Sequence, residues 1–138
     1  MEIAIYTDGA SRGNPGNAAI GVIIYDIDGQ ILKRDSEAIG IATNNVAEYK
    51  AVIRGLELAL ELKATIVKIY ADSQLLVRQL SGEYRVKNEG LKPLYNEVRE
   101  LARSFENFVA IHIPREQNKE ADKLANMALD QSSEVGGQ

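Results

Sequence analysis

Four acids fall where the sequence pattern passes from one element to the next. Asp8 follows the β-branched, alternating run Met1–Thr7 (MEIAIYT) and opens the turn-rich stretch Asp8–Asn17 (DGASRGNPGN). Glu48 lies in the first turn of Val46–Lys63, where Tyr49, Val52, Ile53, Leu56 and Leu60 recur at helical spacing. Asp72 directly follows the apolar run Ala64–Ala71 (ATIVKIYA), and Asp122 stands in the first turn of a last helical stretch, Asn118–Asp130. Singly, each has an ordinary structural use. Asp8 can make an Asx turn before Gly9, and Glu48 can close a capping box with Asn45. Asp72 can cap a helix, and Asp122 can complement a helix dipole. Jointly they point elsewhere. If the first and fourth strands are parallel neighbours, Asp8 and Asp72 end side by side at their carboxyl ends, where open α/β sheets place their sites. Two helix N-termini can bring Glu48 and Asp122 to the same point. Carboxylates packed that way repel unless cations neutralise them. Hard oxygen donors without His or Cys select Mg²⁺ or Mn²⁺, and two such ions held together form the clamp used for phosphoryl transfer.

The elements that must position these acids can be traced along the chain. Three strands are predicted at 1–7, 18–26 and 30–38, the second and third joined by the hairpin signal Asp28-Gly29. The helix 46–63 and the strand 64–71 follow, then a short helix over 72–80 opened by Asp-Ser. Ser81–Gly90 is a charged connector, Leu91–Phe105 an amphipathic helix entered near Pro93, and Phe108–Ile113 a last strand stopped by Pro114. The helix 118–130 ends in a polar stretch, 131–138, expected to fray into a disordered tail. The order βββαβααβα predicts one mixed sheet with helices on its faces, in a single domain over 1–130.

Composition narrows the chemistry further. The 138 residues include no Cys, one His and no Trp, with 45% hydrophobic and 26% charged residues. Such a chain buries a core without staples. It has no disulfide scaffold, no zinc–thiolate site and no Cys nucleophile. No run approaches a membrane span, and Met1–Tyr6 is no secretory signal, so a cytoplasmic monomer without an obligate protein partner is expected. The glycine loop 9–16 has neither GxGxxG nor GxxxxGK[ST] order, which argues against a nucleotide cradle. The formal net charge of −4 looks wrong for a nucleic-acid binder. Without the four acids, however, acids and bases are equal at sixteen each. Divalent ions would belong to the electrostatics of such a site.

These residues resemble a known family. Tyr6-Thr7-Asp8-Gly9-Ala10-Ser11 with Gly13-Asn14-Pro15-Gly16 resembles the first motif of type 1 ribonucleases H, and Thr43-Asn44-Asn45-Val46-Ala47-Glu48 the second. Ala71-Asp72-Ser73-Gln74 resembles the third, and Pro114-Arg115-Glu116 with Asn118-Lys119-Glu120-Ala121-Asp122 the fourth. The four occur in order over about residues 1–130. The resemblance implies the α/β ribonuclease H-like fold, a five-stranded mixed sheet of three antiparallel strands and two parallel additions flanked by helices. It also implies hydrolysis of the RNA strand of RNA–DNA hybrids, leaving 3′-hydroxyl and 5′-phosphate ends. Two Mg²⁺ ions are implied, with Mn²⁺ as a substitute. Asp8 and Asp72 would be the principal ligands, with Asp8 bridging both ions. Glu48 would bind metal and touch an RNA 2′-hydroxyl, and Asp122 would complete the second site. Asn14, Asn44, Asn45 and Gln74 match positions that read the minor groove, and Thr43 one that holds a DNA phosphate. A 2′-hydroxyl is what separates RNA from DNA, and amide side chains suit groove edges of any sequence.

Two departures stand out. Many type 1 enzymes carry a His in the loop before the last helix. Here Arg115 takes that place, as in compact members with Pro-Arg-Glu, and this resemblance leaves cleavage of duplex RNA open as a side activity. An Arg contacts phosphate but is a poor proton shuttle. His112 is the only imidazole and is read as a strand residue. The basic, Trp-containing protrusion of better-known members is also trimmed. Residues 78–92 keep Arg78, Arg85, Lys87 and Lys92 against Glu83 and Glu89, a local +2. Tyr84, Arg85 and Lys87 are expected to touch the DNA strand, Asn88 to serve the phosphate pocket, and Arg115 to contact substrate. No hybrid-binding module is expected before the first strand, and modest, salt-sensitive affinity is expected with it. A catalytically silent hybrid- or RNA-binding domain of the same fold is the alternative, although such a domain would be expected to lack one of the four acids.

Overall fold

The computed structural model describes the backbone of residues 1–136 and the side chains of residues 1–132. A five-stranded sheet carries the chain in the order β3-β2-β1-β4-β5. Strands β1 (Glu2–Gly13), β2 (Gly16–Asp26) and β3 (Ile31–Ala42) form an antiparallel meander. Strands β4 (Ile66–Ala71) and β5 (Asn107–His112) add in parallel beside β1. Helices α1 (Asn44–Glu61), α2 (Gln74–Leu80) and α3 (Lys92–Ala102) follow the meander and β4, and α4 (Lys119–Gly136) closes the chain after a short 3₁₀ turn, Arg115–Gln117. The expected mixed α/β sheet and its element order are present.

Alternation fixes which face each strand buries. Ile3, Ile5 and Thr7 of β1 are fully buried on the side where α1 packs, joined there by Val22 and Ile24 of β2 and by Val67 and Ile69 of β4. From α1, Val52, Leu56 and Ala59 complete this core, and Tyr49 donates its hydroxyl to Gln79 Oε1 at 2.6 Å. The other face of the meander is covered by α4, through Ala121, Ala125, Ala128 and Leu129. The three alanines let α4 approach closely. At Gly21 of β2 an added Cβ would lie 2.1 Å from the Ala121 carbonyl oxygen.

The structure moves several predicted boundaries. The stretch 8–17 is almost entirely strand, because β2 pairs it rung by rung from Asp8↔Gly21 to Gly13↔Gly16, leaving Asn14–Pro15 as the turn. Gly9 reports a close approach by α1 instead of a bend: a Cβ there would lie 2.3 Å from the Ala47 carbonyl carbon. Strand β3 runs four residues past Ala38, to Ala42. The expected frayed tail is helical through Gly136, since 131–135 contain neither Pro nor Gly to stop propagation; the rest of that stretch, 137–138, lies outside the described residues. No described helix is long and apolar enough to cross a membrane.

Candidate active site

Asp8 lies inside β1, not at its end. Relative to β4 it nevertheless sits past the last rung, because the parallel ladder stops at Tyr6↔Tyr70. Asp72 follows the end of β4 at the same level. The first turn of α1 is tied to this point by side chains of the meander. Thr43 is its N-cap, with Oγ1 accepting from Val46 N at 3.2 Å. Asn44 N donates to Asn14 Oδ1 at 3.1 Å, and Ser11 N donates to Asn44 Oδ1 at 2.9 Å. The cap is Thr43, so the Asn45–Glu48 capping box does not form and the Glu48 carboxylate turns inward. Ser73, not Asp72, caps α2, through Leu76 N at 3.2 Å. Two of the four acids are thereby relieved of the structural duty the sequence offered them.

One carboxylate oxygen from each of Asp8, Glu48 and Asp72 falls within 4.8 Å of the others. Asp122, in the first turn of α4, borders the same cleft of about 490 Å³ and adds its charge beside Asp8. The electrostatics are those of an acidic cluster held apart from water. Asp8 is only 6% exposed. Burial, the neighbouring Asp72 and the contact with Asp122 push its carboxyl up to about 8. Burial first, then Asp8 and Asp72, raise Glu48 well above the carboxylate range. The Gly9 N–H and the Arg115 guanidinium pull Glu48 back only partly. Glu48 Oε2 is buried with no hydrogen-bond partner, an arrangement that costs free energy unless something binds there. An orphaned buried carboxylate oxygen within an all-oxygen donor set has the chemistry of a hard divalent-cation site.

The other expected residues divide into groups. Asn44, Asn45 and Arg115 line the cleft, whose wall also includes Ser11, Arg12, Ser73 and Asn126. Asn14 stands behind Asn44, and Thr43 opens α1. Gln74 begins α2 and is exposed, off the cleft wall. Tyr84, Arg85 and Lys87 line a separate depression of about 930 Å³ with Lys92 and Tyr95. There Arg78 hydrogen-bonds the Tyr84 hydroxyl and sits 5.2 Å from its ring centre. Asn88 is off that wall, and its Oδ1 accepts from Gly90 N at 2.7 Å, closing the turn before α3. His112 is exposed on β5 opposite Ala71 and does not line the cleft.

Sequence reasoning missed two amides. Asn126 donates to Asp122 O at 2.9 Å and to Asp122 Oδ1 at 3.3 Å, and its i,i+4 spacing was the signal available for it. Asn118 is 1% exposed and donates to Asp72 Oδ2 at 2.9 Å. Nothing in its sequence neighbourhood marks it as buried.

Comparison with known proteins agrees with this geometry. Residues 6–128 match the family model described as reverse transcriptase-like. The chain is 43% identical over 125 residues to ribonuclease HI of Halobacterium salinarum, covering 91% of this chain and 63% of that protein. The crystal structure of RNase H1 from that organism matches with a TM-score of 0.93 over 95% of this chain and 99% of the other. The chain is also 42% identical over 135 residues to the bifunctional protein Rv2228c of Mycobacterium tuberculosis, covering 97% of this chain but only 37% of that protein. It thus spans about a third of one of these relatives and under two thirds of the other. LC11-RNase H1, isolated from compost and solved in complex with an RNA/DNA hybrid, matches at 46% identity with a TM-score of 0.89 over 94% of this chain and 98% of the other. With its fold and nearly its whole length covered by these matches, the chain belongs to the ribonuclease H family.

Proposed function

We propose that the protein is an endoribonuclease that hydrolyses the RNA strand of RNA–DNA hybrids, leaving 3′-hydroxyl and 5′-phosphate ends. The observation that carries this reading is the meeting of Asp8, Glu48 and Asp72 within 4.8 Å at the end of a parallel strand pair. Asp8, Glu48, Asp72 and Asp122 would hold two Mg²⁺ ions, with Mn²⁺ as a substitute. When bound, such ions supply water activation and stabilisation of the leaving 3′-oxygen. The remaining work falls to the chain. Glu48 faces the RNA 2′-hydroxyl, the group that distinguishes the strand to be cut. Arg115, already felt electrostatically by Asp8 and Glu48, meets a phosphate with its planar guanidinium fork.

The amides are more specialised than their types alone imply. Asn44 and Asn14 both spend their carbonyl oxygens on backbone N–H groups. What remains for a ligand is the N–H donors. Every base pair offers acceptors in the minor groove, purine N3 or pyrimidine O2, so donors there would read any sequence. Asn45 and Gln74 extend the same chemistry. Thr43 keeps its hydroxyl proton for a DNA phosphate at the α1 N-terminus, where anions are favoured.

Labelled hybrid, duplex RNA and duplex DNA are to be incubated with Mg²⁺, Mn²⁺ or EDTA. Endonucleolytic cleavage of the hybrid RNA strand, lost in EDTA, is expected, and duplex RNA tests for a side activity. Wild-type protein that binds hybrid but leaves it intact with either metal would favour the silent binding domain. On the Tyr84 side, the double variant Arg85→Ala, Lys87→Ala is expected to weaken hybrid binding about tenfold in low salt. It should also flatten the dependence of log Kd on log salt by roughly two phosphate contacts. Fluorescence anisotropy over a salt series measures both, and an unchanged slope would remove these residues from the DNA-binding surface.

A further inference from the structure

We infer that Asn118 is a positioning residue that sets the spacing of the acidic cluster, acting as the rung that the sheet itself does not provide. The inference rests on the metal-dependent reading above. The β1–β4 ladder ends at Tyr6↔Tyr70, so Asp8 and Asp72 lie beyond it with no strand hydrogen bond between them. Asn118 spans that gap with one amide nitrogen. Its Nδ2 donates to Thr7 O, the carbonyl directly before Asp8, at 2.8 Å, and to Asp72 Oδ2 at 2.9 Å. Two hydrogens on a single planar nitrogen hold a backbone atom of one strand and the carboxylate of the other at a fixed separation. This bond holds the half-buried Asp72 carboxylate toward Asp8.

The backbone of the same residue fixes the other pieces. Its N–H donates to Arg115 O at 3.0 Å, closing the turn that carries Arg115. Its carbonyl accepts from Asp122 N at 3.1 Å, setting the first turn of α4. The side chain is 1% exposed and its Oδ1 is buried without a partner. An orphaned buried carbonyl is unfavourable, so a residue chosen only to fill space would be apolar. What Asn supplies, and an aliphatic side chain does not, is the forked donor.

Asn118→Ala and Asn118→Asp separate this role from ordinary packing. The readouts are Mn²⁺ binding to the protein without substrate, the unfolding temperature in EDTA, and kcat and KM on hybrid. Asn118→Ala is expected to bind Mn²⁺ at least about tenfold more weakly and to lose kcat by about a hundredfold with KM little changed, as when positioning is lost by about an ångström. Asn118→Asp keeps the shape and adds a negative charge, which alone would tighten cation binding. Weaker Mn²⁺ binding and a reduced kcat in that folded variant would support the inference even if Asn118→Ala does not fold. Unchanged or tighter Mn²⁺ binding with retained kcat, in a variant whose only defect is a lower unfolding temperature, would overturn it. If the wild type itself binds no Mn²⁺, the metal-dependent reading fails first.

Discussion

Asp8→Asn is expected to abolish hybrid cleavage and, at the same time, to stabilise the fold. The activity loss should be at least about a thousandfold, the upper range for removing one preorganised electrostatic group. The stability gain follows from the site's electrostatics. In the folded protein the Asp8 carboxyl is raised to about 8, above all by burial and then by Asp72; in the unfolded chain it returns to about 3.9. Between those values the folded state holds a proton that the unfolded state has released. Wild-type stability therefore falls as pH rises from about 4 to about 8, and the full cost is present above that window. Asn at this position carries no charge at any pH. In EDTA the variant and wild type should unfold at similar urea concentrations near pH 4. They should diverge as pH rises, to a gap of roughly 2–5 kcal/mol above pH 8. Saturating Mg²⁺ should narrow the gap, because a ligand that binds only the native wild type restores its stability. Urea titrations at three pH values, with and without metal, check the sign as well as the size. A variant that is less stable than wild type in EDTA at pH 8.5 would contradict the account of the cluster.

Gly9→Ala is expected to damage fold and site together. Its Cβ would lie 2.3 Å from Ala47 C, 2.4 Å from Glu48 N and 2.5 Å from Ala47 O. All three are backbone atoms of α1, so no rotamer change relieves the clash. Either α1 moves outward by about an ångström or β1 bows, and overpacking of this kind costs about 3 kcal/mol or more. Whichever moves, Glu48 leaves its place beside Asp8 and Asp72. Activity in the folded fraction should fall by about a hundredfold. Cleavage rates measured well below the unfolding temperature, beside the urea midpoint, separate the two effects. A variant with near-wild-type kcat would mean that α1 need not press on β1 for the site to work. Gly29 offers the contrast: a Cβ there meets nothing within 4 Å, so only its left-handed backbone, φ +83°, resists substitution.

The four acids were legible because each stood at a change of hydrophobic period, and the period itself placed the sheet and helices. The structure brings all four to one cleft, as the parallel pairing of the first and fourth strands implied. What the sequence misrepresented were its glycines. Gly9, Gly13 and Gly16 read as a loop, because local propensity cannot distinguish a Gly needed for a bend from one needed for a neighbour's backbone. Here β2 pairs across the whole stretch and α1 presses on it. The caps were assigned one residue or more away from Thr43 and Ser73, since Asn, Asp, Ser and Thr all cap helices and several stand in a row at each start. Asn118 was quoted as part of a motif, yet its burial was invisible. An Asn between Gln117 and Lys119 looks solvent-facing until a fold brings Thr7, 111 positions away, against it.

That distance along the chain governs when the acidic cluster can be completed during synthesis. The sheet strands, α1 and three of the acids are complete once β5 has emerged, but Asn118 and Asp122 arrive only with α4. The helix covers β1, β2 and β3, so the first-made strands keep one face bare until the last element docks. Synthesis runs from the N-terminus, and a domain generally folds as a unit. A ribosome-bound chain still missing α4 therefore lacks both the fourth carboxylate and the amide that spaces the others. The acidic cluster is complete only once α4 has emerged, and a chain truncated before residue 118 lacks Asn118 and Asp122 alike.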